Sequence, residues 1–91
     1  MLSSVQLEKV ITDMQLQESS NDELTKRIKN ARIDSLIWAL NSGTIKSVAE
    51  IQHRIARYQE ELLVFADHSN PAYKEKIARI DELENLIQSL L

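Results

Sequence analysis

The 91-residue sequence has no cysteine, one glycine, one proline and only four Phe, Trp or Tyr residues. Without cysteine there are no disulfides, no thiolate zinc sites and no cysteine nucleophile. One glycine and one proline leave almost no turn chemistry for the hairpins of an all-β protein, and a glycine-rich phosphate loop cannot be built. Long hydrophobic runs are also missing. The longest, LIWAL at 36–40 and LLVFA at 62–66, fall well short of the roughly 18–20 apolar residues that cross a bilayer. The opening residues MLSSVQLEKV lack the basic segment and apolar core of a signal peptide, which predicts a cytoplasmic protein with no membrane partner.

Hydrophobic residues make up 43% and charged residues 27% of the chain, an ordinary globular balance with the turn formers removed, so the expected class is all-α. A chain of this length forms one domain that buries only about 60% of its unfolded surface, and a second copy or a partner would widen its thin margin of stability. The net charge of −3 is uneven: residues 1–23 sum to −4 and residues 24–47 to +4. The basic stretch TKRIKNAR at 25–32 is therefore expected to attract the acidic arm before it, within one molecule or between copies.

From residue 48 onward, Val48, Ile51, Ile55, Tyr58, Leu62 and Phe65 alternate spacings of three and four, the seam of one helix face. Ser47 with Glu50 forms a capping box at its start. The helix is expected to stop near Ala66 or Asp67, because Asn70 reads as the N-cap of a new helix with Pro71 at its first position. That last helix carries Tyr73, Ile77, Ile80, Leu83, Ile87 and Leu90 on one face. Facing residues of an antiparallel pair keep a constant index sum. Phe65 with Tyr73, Tyr58 with Ile80, Ile55 with Leu83, Ile51 with Ile87 and Val48 with Leu90 all sum to 138, which predicts an antiparallel αα-hairpin of 48–66 and 71–90.

Upstream, Ser20 and Glu23 suggest a capping box for a helix over 21–42, ended by Gly43 as its left-handed C′ residue. Two apolar stripes run along it. Leu24, Ile28, Ala31, Trp38 and Ala39 lie on one side, with Ile33, Leu36, Ile37 and Leu40 nearly opposite. Residues 4–18 repeat a shorter pattern, with Leu7, Val10, Ile11 and Met14 on one face. The join QESSND contains neither Gly nor Pro. Two versions follow from it: a continuous helix of nearly forty residues, or a break that lets the first segment fold back as a fourth helix. The fold expected is a small helical bundle, the hairpin plus one or two further helices, completed by oligomerisation. Residues 1–20 form an amphipathic docking arm and 21–91 the bundle domain.

Candidate chemistry is sparse. His53 and His68 lack a His or Cys at helical spacing, and of Asp81, Glu82 and Glu84 only Asp81 and Glu84 share a face, so no metal or cofactor site and no enzymatic activity is expected. The sequence NSGTIKSVAEIQHRI, from residue 41, is similar to the first two elements of helix-turn-helix domains over about 20 residues. That resemblance implies base or phosphate contacts from Gln52, His53, Arg54 and Arg57. Against it, the second helix runs on as a hairpin arm, and its acids outnumber its bases where phosphate binding needs uncompensated cations. Trp38 reads as a core or inter-subunit filler before it reads as a hot spot.

The function expected is a non-enzymatic protein-interaction module: an oligomeric adaptor, assembly factor or inhibitor, a build that suits accessory proteins of phages or mobile elements. It would bind itself and another protein through the apolar faces of Leu7, Val10, Ile11, Met14, Ile33, Leu36, Ile37, Trp38 and Leu40. The alternative is a dimeric nucleic-acid-binding regulator that uses the basic 26–32 stretch and the corner at 41–54.

Overall fold

A computed structural model of the chain describes residues 2–17 and 21–91. The described residues form four helices and one two-stranded ribbon: α1 (Ser4–Leu16), α2 (Glu23–Ala39), β1 (Leu40–Asn41), β2 (Thr44–Ile45), α3 (Val48–Leu62) and α4 (Pro71–Leu90). The class is mostly α, and the four helices pack together around one core.

Each helix start has a local chemical cause. Ser3 and Gln6 form a reciprocal capping box before α1, Ser47 accepts from the Glu50 N–H before α3, and Asn70 accepts from the Ala72 N–H before α4, with Pro71 at the first helical position. Each cap satisfies a backbone donor that the helix itself leaves without a partner. For α2 the cap is Asp22, whose carboxylate accepts from the Thr25 backbone and hydroxyl. The expected partner of Glu23, Ser20, lies outside the described residues. Because α1 ends at Leu16 and α2 begins only at Glu23, the continuous forty-residue helix is ruled out.

The segment between α2 and α3 departs from expectation. Gly43 does adopt the left-handed conformation, at φ 82°, but it does not end a helix; α2 stops at Ala39, and Ser42 (φ 50°) and Gly43 form the two-residue loop of a β-hairpin. Positive φ at both central residues is the pattern of a type I′ turn, whose twist matches that of paired strands. Leu40 pairs with Ile45 and Asn41 with Thr44. Side chains alternate across the ribbon, so Leu40 and Ile45 pack against the core while Asn41 and Thr44 face water.

The core is centred on α4, which packs on α2 more extensively than on α3. Its buried residues Ala78, Ile80, Leu83, Leu86 and Ile87 are joined by Ala31, Ile33, Leu36 and Ala39 from α2 and by Ile51 and Ile55 from α3. Contacts at both ends of the α3–α4 pair define how they meet. The Phe65 and Tyr73 rings touch beside the bend, and Val48 and Leu90 line one depression at the far end. The segment α1 folds back on α2 and β1, with Leu7 and Ile11 in the core and the Leu2 N–H bonded to the Ser89 carbonyl at 3.3 Å.

Candidate interaction surface

The nine residues expected to form an interface separate into three sets. Leu7, Ile11, Ile33 and Leu36 are buried inside the chain, so their apolar surface is already used. Met14, Trp38 and Leu40 are half-buried against the same core. Only Val10 and Ile37, 40% and 46% exposed, present substantial apolar surface to water.

The most exposed apolar surface lies elsewhere. Leu63 and Val64, adjacent at the end of α3, are 85% and 82% exposed. The next residue, Phe65, meets the Tyr73 ring, and Tyr73, Ile77, Ala78 and Ile28 line a shallow groove between α2 and α4 with Arg32 and Lys74 at its margins. Leu63 and Val64 follow the last residue of α3, Leu62, and lie off the three-four seam of Ile55, Tyr58 and Leu62. The signal was in the sequence, since LLVFA has more consecutive apolar residues than one helix face can bury.

The basic stretch is partly consumed within the fold. Arg27 makes a two-point contact with Glu75, at 2.7 Å from Nε and 3.2 Å from Nη2, and Arg32 donates to Asp81 and Glu82 at 2.8 and 3.2 Å. Both guanidinium pKa values are raised. For Arg27 the cause is the hydrogen bond and charge of Glu75; for Arg32, desolvation opposes the rise and the bonds to Asp81 and Glu82 outweigh it. Lys29 donates to the Gln17 carbonyl. The expected attraction to the acidic arm is thus replaced, for the two arginines, by ion pairs with α4. Cations paired in this way are not free to neutralise phosphates. The corner at 41–54 also differs from a helix-turn-helix, because a β-hairpin stands between the two helices.

Around Trp38 the chemistry is different. The Arg54 guanidinium carbon lies 4.3 Å from the indole centroid and the Lys46 ammonium 5.0 Å from it, and Arg54 is also 5.7 Å from the Tyr58 ring. A cleft of about 420 Å³ opens beside them, lined by Trp38, Ala49, Glu50, His53, Arg54 and Arg57. At the bend, Lys76 pairs with Glu61, which also meets Arg57 at 3.9 Å. The Glu61 carboxyl pKa is lowered, first by the Lys76 hydrogen bond. Asp67 is lowered by accepting from the Ser69 hydroxyl and backbone N–H.

Among the described residues, no three His, Asp or Glu side chains are grouped to hold a metal ion. No buried side-chain polar atom among them lacks a hydrogen-bond partner, and none of their helices is long and apolar enough to cross a membrane. Compared with protein-family models, with curated proteins and with solved structures, the chain matches none.

Proposed function

We propose that the chain is a small non-enzymatic interaction module that self-associates and docks on a further protein, in the manner of an oligomeric adaptor, assembly factor or inhibitor. The observation that carries this reading is the exposed pair Leu63 and Val64, continued through Phe65 and Tyr73 to the groove at Ile77 and Ile28. Two adjacent aliphatic side chains left in water forgo about 1.5–3 kcal/mol each of burial free energy, a gain open to any partner that covers them.

Shape supports the same reading. The molecule measures 37 × 31 × 20 Å, so its thin dimension is only about two helix diameters of 10–12 Å. Its radius of gyration of 13.5 Å exceeds the roughly 12 Å expected for a compact chain of this length. A second copy laid on the apolar end would shield surface that one copy cannot cover. The proposed interface therefore centres on Leu63, Val64, Tyr73 and Ile77, with Val10 and Ile37 the exposed remainder of the sequence-derived set.

Light scattering over a concentration series up to about 0.5 mM, a range that detects even weak dimers, tests the self-association. The wild type should exceed its monomer mass of 10.5 kDa, and a Leu63→Ser, Val64→Ser double variant should stay at it. A wild type that remains monomeric throughout would overturn the reading.

A further inference from the structure

The cleft beside Trp38 combines a guanidinium with no acceptor, an aromatic wall and a local excess of positive charge. The Arg54 guanidinium carbon lies within cation–π distance of the rings of both Trp38 and Tyr58, contacts that restrain the group. Among the described residues, no carboxylate or carbonyl accepts from its N–H groups. The acid whose charge Arg54 feels, Glu61, is committed to Lys76 and Arg57. Lys46 likewise lies over the indole and ion-pairs with no acid among the described residues.

Two cations, Arg54 and Arg57, line the cleft with one carboxylate, Glu50, and Lys46 lies over the Trp38 ring beside them, in a chain whose net charge is −3. The other arginines, Arg27, Arg32 and Arg79, each reach an acid across the fold. Arg54 and Lys46 are the exception, whereas Arg57 meets Glu61 at 3.9 Å. A planar guanidinium presents a fork of N–H donors, and the group that matches it at two points is a carboxylate or a phosphate.

We infer that this cleft is a binding site for a carboxylate side chain of an acidic, partly apolar peptide segment, with Arg54 as the bidentate anchor and Trp38 and Ala49 as the apolar wall. Arg57 and Lys46 supply the flanking charge. The Glu50 carboxylate on the rim favours a singly charged carboxylate over a phosphate chain, because a polyanion would meet it at the next position. A volume of about 420 Å³ lies in the range of small-ligand sites and accommodates a few side chains rather than a folded domain. The cleft does not include the apolar end at Leu63 and Val64, so this site can fail while the self-association proposal stands, and the reverse.

Trp38 is the only tryptophan, so its fluorescence reports on the cleft directly. The probes are an acetylated, amidated hexapeptide with one glutamate among leucine and serine residues, the same peptide with glutamine for glutamate, and inorganic phosphate. The glutamate peptide should give a saturable change in Trp38 emission that weakens with added salt, while the glutamine peptide and phosphate should not. Arg54→Gln should weaken binding at least about tenfold, the size of one lost charge-assisted contact of about 1.5 kcal/mol, and Arg54→Lys should weaken it less. Glu50→Gln should tighten it, a gain that no loss of folding could produce. No saturable response from the wild type, an equal response to the glutamine peptide, binding of phosphate alone, or full binding by Arg54→Gln would each overturn the inference.

Discussion

Phe65 meets the Tyr73 ring edge-to-face across the α3–α4 bend, with centroids 5.8 Å apart and planes inclined by 75°. The opposite charges of ring edge and ring face favour this arrangement over a sandwich. His68 stacks flat on the same tyrosine, 4.4 Å away, so two side chains of the connection between the helices hold one ring at the start of α4. The adjoining apolar end at Leu63 and Val64 is thereby presented on a fixed framework.

A double-mutant cycle of Phe65→Leu and Tyr73→Leu should yield a coupling of about 0.5–1.5 kcal/mol beyond the sum of the single losses. Urea denaturation measures it. Additive single effects would mean that the rings do not interact.

Leu83 and Ile51 are wholly buried on helices that meet in the core. Leu83→Ala should cost about 2–5 kcal/mol and Ile51→Val about 1 kcal/mol. For a 91-residue chain whose whole stability is of order 5–10 kcal/mol, the first should bring the thermal midpoint close to ambient temperature while the second leaves a clear cooperative transition.

The ribbon turn offers changes of opposite sign. A side chain added at Gly43 would meet nothing within 4 Å, so Gly43→Ala should destabilise by about 1 kcal/mol through the left-handed backbone alone. Ser42→Asn should raise stability by a few tenths of a kcal/mol, because Asn-Gly is the preferred pair for two positive φ angles. Thermal melts of the two variants should move in opposite directions.

Acid should weaken the fold. Asp22, Glu61 and Asp67 have pKa values lowered in the native state by hydrogen bonds from Thr25, Lys76 and Ser69 respectively. A carboxyl lowered by folding stabilises the native state above its unfolded pKa, and the gain is lost as pH falls through the native value. The urea midpoint should therefore be flat from neutral pH to about 5 and fall below about 4, where unfolded carboxyls titrate. Glu61→Gln should flatten part of that fall.

The features legible in the sequence are those fixed within a few residues. Ser47, Asn70 and Pro71 mark helix starts through their own backbone chemistry, and the three-four spacing of Ile51, Ile55, Ile80, Leu83 and Ile87 identifies residues that are buried. Periodicity reveals which face is apolar but not what covers it. Leu7, Ile11, Ile33 and Leu36 therefore read as spare surface although α1 folding back on α2 buries them, and Leu86 and Ala78 went unrecognised as the side of α4 that joins the core beyond the hairpin seam. Gly43 has the left-handed conformation expected of it, in a β-hairpin loop rather than at a helix end. The Ser-Gly pair between Leu40-Asn41 and Thr44-Ile45 was the available signal for a hairpin. The partners of Arg27 and Arg32 lie 48–50 residues away, and no local pattern specifies such pairings.

Helices α1 and α2 close the core within one chain, and the end bearing Leu63 and Val64 is the surface proposed for association. Backbone ¹H–¹⁵N chemical shifts followed over a dilution series test both halves at once. Shifts that vary with concentration at Leu63, Val64, Tyr73 and Ile77, and stay constant at Leu7, Ile11, Ile33 and Leu36, are the expected result. Concentration-dependent shifts centred on Leu7 and Ile11, or none anywhere, would contradict it.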